Sequence, residues 1–183
     1  VDKAAGFPQH QAMCLARLFL VAMLLAAPAV AAPPADTAFA REVTAEVNGG
    51  LARMQRVAFR AQRPDVGYES QVRAWRDAQG VRKIEVTDLD DSGSVVTEYY
   101  FRDAGLVFAY VAIKGWQGKR EVTRVERRQY FRGEAMVRWL DGMGKVERAA
   151  DDPEFQPEAT LRLAAARFFL DLSTSAFQDA RTP

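Results

Sequence analysis

The spacing of hydrophobic positions changes three times along this chain, and the changes divide it. Residues 18–27 are an unbroken apolar run. From Phe39 onward apolar side chains return every three or four places, so that Phe39, Val43, Val47, Leu51, Met54 and Val57 fall on one stripe of a helix of about six turns. Between residues 68 and 140 the period shortens towards two, the spacing of β-strands. Leu161, Ala165, Phe168, Phe169 and Leu172 then restore a helical stripe, with Pro157 near the first position of that helix and Glu158 in its first turn.

The middle segment organises the rest. Val95-Val96-Thr97-Glu98-Tyr99-Tyr100-Phe101 is β-branched and aromatic, a composition that fits a pleated surface and loses rotamer freedom in a helix. Strands are expected at 95–102, 106–113, 122–131 and 135–140, preceded by a more polar hairpin at 68–75 and 81–89 and followed by a short strand within 145–149. Residues 106–113 are apolar on both alternating faces, which predicts a central strand covered on two sides. Aromatic-Arg pairs precede turns three times, at Trp75-Arg76, Phe101-Arg102 and Phe131-Arg132, and predict hairpins laid side by side. Asp103-Ala104-Gly105 reads as a three-residue loop with Gly105 at positive φ.

These segments give an α+β domain. The expectation is an antiparallel meander of six to seven strands, possible as a half-barrel, with an N-terminal and a C-terminal helix packed on one face. Gly49-Gly50 is expected to bend or break the first helix, Asp36 or Thr37 to cap it, and 63–67 to form a loop. The domain is placed at 32–176, and residues 177–183 are read as a flexible tail, with loosening already from Ser173. In layout, with an export signal ahead of the domain, the order of elements is similar to periplasmic lipoprotein-carrier and cystatin-like domains, a likeness of architecture that rests on no motif.

The first 31 residues read as that signal: Arg17, the apolar run, then Ala29-Val30-Ala31 as a cleavage site, with Met13 the natural start and residues before it not native. Export implies a periplasmic or secreted protein that meets the membrane only through the leader. It also changes the chemistry. Cys14 and His10, the single Cys and the single His, both fall in the leader, so the remaining chain is expected to lack thiolate nucleophiles, Cys/His zinc sites, disulfides and histidine-based triads. Two of the 25 basic residues and one of the 24 acidic residues lie there too, which leaves a balanced charge and argues against a nucleic-acid partner. No cofactor is expected.

Three features carry candidate chemistry. Asp88, Asp90, Ser92 and Gly93 match the opening positions of a calcium loop, but Tyr99 stands where its closing Glu belongs, so a solvated turn is preferred. Alternation places Arg124, Arg128 and Tyr130 on one face of the strand at 122–131, an anion-recognition strip or, by preference, a face of cross-strand ion pairs with Glu126 and Glu98. Trp116, between glycines and lysines, reads as an exposed contact point, and Trp139 as a wall of an apolar pocket or plain core. The function that fits best is a non-catalytic module binding a lipid, peptide or envelope protein. Docking through a sheet edge or Trp116 is the alternative, and a carboxylate-dependent glycan hydrolase the second.

Overall fold

The computed structural model describes residues 35–63 and 69–180. The expected leader, the Pro33-Pro34 stub and the loop residues 64–67 lie outside the described residues, as do 181–183. The chain is α+β: helix α1 (Ala35–Gly50), a 3-10 turn (Leu51–Arg53), strands β1 (Gln55–Gln62), β2 (Glu69–Asp77), β3 (Gly80–Asp90), β4 (Gly93–Arg102), β5 (Gly105–Gln117), β6 (Arg120–Arg132), β7 (Ala135–Asp141) and β8 (Val146–Arg148), then helix α2 (Phe155–Asp179). The strands form one antiparallel sheet in chain order, open at β1 and β8.

The sheet has one strand more than the upper count expected, and the extra one is β1. Met54 and Val57 satisfy a helical stripe, but the helix stops at Gly50 and Val57, Phe59 and Ala61 alternate as a strand packed on the main core. The first predicted hairpin is therefore one strand in from the edge. β5 is central, as expected, and is longer than read: Lys114, Gly115 and Trp116 belong to the strand rather than to a loop, and the turn is confined to 118–119.

The helices lie on opposite faces of the sheet, not on a shared one. Within β4, Tyr99 and Phe101 join Ile84, Ala109, Phe131 and Trp139 beneath α2, whereas Tyr100 joins Val107 and Tyr130 beneath α1. Antiparallel pairing keeps these sets apart, because successive side chains point to opposite faces. α2 crosses the sheet from Trp139, packed on Phe155 at 6.3 Å between ring centres, to Arg76, whose guanidinium lies 4.8 Å from the Phe177 ring. Phe177 is buried at 3% exposure, so the expected loose tail is helix through Asp179. Thr174 and Ser175 donate their hydroxyls to the carbonyls of Leu170 and Asp171, which lets residues that favour turns continue a helix. Among the described residues no helix is long and apolar enough to cross a membrane.

The three aromatic-Arg hairpins share one construction. Each closes on a two-residue turn, and each carries one extra residue two places after its second strand begins: Arg82, Val107 and Val137. Such bulges bend a strand and sharpen its twist. Asp103 and Ala104, at φ 51° and 59°, make the middle turn themselves, so Gly105 starts a strand instead of supplying the positive φ. All three bulges lie at the end of the sheet where α1 docks.

Candidate functional site

α1 sits on the bulged ends through Ala40, Val43 and Val47, which meet a row of Tyr100, Phe108 and Tyr130 spaced 5.9 and 5.1 Å apart. Polar clamps fix it. The Arg82 guanidinium donates to Glu46 (2.8 Å), Asp77 (2.6 Å) and Gln79 (2.6 Å), Arg102 also holds Glu46, and Arg138 donates to the Thr37 hydroxyl (2.9 Å). Thr37 is thus a docking residue, not a cap. The hydrogen bond from Arg82, together with the charges of Arg82 and Arg102, outweighs partial desolvation and holds the Glu46 carboxyl below its ordinary range.

Phe39 does not join that stripe. It is 41% exposed, with the Arg102 guanidinium 5.5 Å from its ring, and it forms one wall of a cavity of about 320 Å³. Leu106, the bulge residue Val107 and Phe131 supply the other apolar walls, with Arg102 and Arg132 beside the β4–β5 and β6–β7 turns. Leu106 also lines a second cavity of about 180 Å³ on the α2 side, bounded by Phe101, Leu163, Ala166 and Leu170. Apolar lining with a few polar groups at the mouth is the usual make-up of a small-molecule site.

Above α1 the same face of the sheet forms an open polar trough of about 560 Å³. Its charges are matched: Arg73 with Glu85 (2.5 Å), Lys83 with Glu98 (2.7 Å), Lys114 with Glu121 (3.6 Å), and Ser94 donating to Glu121 (2.7 Å). Burial works against the Lys83 charge, but hydrogen bonds to Glu98 and Tyr100 prevail and raise its pKa. Its ammonium also lies 5.0 Å from the Tyr100 ring and 5.8 Å from Trp75. Burial raises the Tyr100 phenol, whose hydroxyl donates to Glu98 (2.7 Å).

The residues singled out from sequence do not assemble. Tyr130 is in the α1 core and Trp139 in the α2 core, on opposite faces. A register shift beside Ile113 makes Arg124 an extra residue in β6, so it leaves the row of Arg128, lies over Gly115 and donates to the Trp116 carbonyl (2.8 Å). The expected Arg124–Arg128 strip is therefore broken by the bulge. Arg128 pairs with Glu126 (3.3 Å) within its own strand rather than across strands, whereas Glu98 goes to Lys83. Trp116 is 52% exposed on the β5–β6 tip. In the acidic turn Asp90 accepts from the Ser92 backbone, the Ser92 hydroxyl and the Gly93 backbone, and Asp88 accepts from Ser70 at 2.5 Å. Among the described residues no three Asp, Glu, His or Cys side chains converge to hold a metal ion.

No protein family, characterised protein or solved structure matches this chain.

Phe39, Leu106, Val107 and Phe131 went unrecognised as a group because the signal that joins them is a bulge, and nothing in the local composition marks one. The exposure of Phe39 was hidden by its fit to the helical spacing of Val43 and Val47.

Proposed function

We propose that this chain is a non-catalytic binding module, acting after export in the periplasm or outside the cell, that holds the apolar part of a lipid, peptide or envelope partner between α1 and the bulged hairpins. The cavity walled by Phe39, Leu106, Val107 and Phe131 carries this reading. Its volume is about twice the ~150 Å³ at which an apolar cavity already takes up benzene. The polar trough speaks against the hydrolase alternative. Glu85 and Glu98 stand opposite each other in register, yet each is held by a cation. That arrangement serves neither a proton donor nor a free nucleophile.

Titration calorimetry with dodecanol, an uncharged chain, tests the proposal. The expected result is saturable one-to-one binding that Phe39→Glu abolishes, a substitution at an exposed helix position that leaves the core intact. Absence of binding, or equal binding by the variant, overturns it. The exposed Trp116 supports a second reading, docking on a partner through the β5–β6 tip; Trp116→Ala removes a dimer or complex if that reading holds and leaves it unchanged if not.

A further inference from the structure

Beneath the first turns of α2, three buried polar atoms lack a hydrogen-bond partner: the Trp139 indole nitrogen, the Gln129 side-chain oxygen and Arg162 Nε. Gln129 and Trp139 are paired across β6 and β7, on the face under α2. Glu158 organises the group, since one of its oxygens accepts from both the Gln129 amide (2.7 Å) and Arg162 (2.6 Å). That bond sets the orientation of the Gln129 amide and leaves its oxygen as a spare acceptor. Trp139, only 2% exposed, is left with a spare donor.

A groove of about 410 Å³ opens at this place. Trp139 and Glu158 are part of its lining, together with Arg127, Pro153, Pro157 and the exposed Leu161. Of its charged residues, Arg127 pairs with Asp141 (3.4 Å) and Glu158 with Arg162 (2.6 Å), while the exposed Glu154 lies 4.0 Å from Arg148, a guanidinium that also pairs with Asp141 and Asp152 (both 3.1 Å) and lies 5.4 Å from the Trp139 ring. An anion finds no unpaired cation there. A neutral amide finds the Trp139 donor and the Glu158 carboxylate as an acceptor, beside apolar proline and leucine surfaces.

We propose that this groove binds a peptide segment, one main-chain carbonyl accepting from the Trp139 indole, the adjoining N–H donating to Glu158, and an apolar side chain resting on Pro157 and Leu161. The site is on the α2 face, separate from the cavity under α1, so the two proposals stand or fall independently.

The test is a nitrogen–proton NMR titration of the full chain with N-acetyl-leucine-N′-methylamide. Its three indole signals belong to Trp75, Trp116 and Trp139, and Trp139→Phe, which keeps an aromatic ring in the core, assigns the third. The expected result is a saturating shift of the Trp139 signal, lost in the exposed-position variant Leu161→Glu. The N-acetyl-leucine methyl ester, which lacks the second N–H, should bind about fivefold more weakly, the worth of one hydrogen bond. A Trp139 signal that stays in place through tens of millimolar probe overturns the proposal, as does an equal shift in Leu161→Glu or equal affinity for the ester.

Discussion

Replacing Arg82 with Met should loosen α1 while leaving α2 in place. Arg82 is the extra residue of the first bulged hairpin, its side chain is 3% exposed, and it joins the β2–β3 turn to α1 through Asp77, Gln79 and Glu46. Met keeps most of the stem and removes the charge and its donors. Breaking a buried ion pair costs about 3–5 kcal/mol when the stranded partner stays buried. Here the partners rehydrate, because the Glu46 and Asp77 side chains are 46% and 29% exposed. The expected loss is therefore about 2 kcal/mol, or roughly 4–8 °C in melting temperature for a domain of this size. Urea unfolding followed by circular dichroism measures it, and hydrogen exchange locates it, with α1 amides exchanging faster and α2 amides unchanged. In a double-mutant cycle with Glu46→Gln the two losses should fall short of additive. A change under about 0.5 kcal/mol, or equal acceleration of exchange in both helices, would refute the assignment of Arg82 as the clamp of α1.

Other consequences follow from the turns, the helix end and the charges. Ala104→Gly should stabilise the fold by about 0.5–1 kcal/mol, since positive φ costs an L-residue about 1–2 kcal/mol and glycine gives back part of that as chain entropy; chemical denaturation reads the gain. Phe177→Ala should cost about 3 kcal/mol, a value that a loose tail cannot produce. Burial raises the Asp141 pKa, but the Gly142 N–H, Arg148 and Arg127 together bring it below the ordinary carboxylate range. Its stabilising contribution is thus complete above about pH 4 and is lost as pH falls through the depressed folded value. Thermal melts of Asp141→Asn should show a lower midpoint at neutral pH that converges on the parent under acid.

Much of the sheet was legible in the sequence. Turn residues and β-branched runs located β2 to β7, and the two-sided apolar character of 106–113 placed β5 in the centre. The same character already implied a cover on each face, which α1 and α2 provide on opposite sides. β1 was concealed because Val57 fits a period of 3.6 as well as a period of two. The end of α2 was concealed because Ser173, Thr174 and Ser175 look like a helix stop until their hydroxyls find carbonyls one turn back or, for Ser173, a buried position. The bulges at Arg82, Val107, Val137 and Arg124 depend on pairing between strands, so no single strand announces them. Those shifts separate Arg124 from Arg128 and set Val107 beside Phe39, and the candidate site is built on them.

Intermolecular nuclear Overhauser effects from bound dodecanol to the methyl groups of the chain test the central claim most directly. The account predicts contacts to Leu106 and Val107, with the rings of Phe39 and Phe131 also in range. Contacts confined to Leu89, Leu161 or the Trp116 tip, or none at saturating dodecanol, would contradict it.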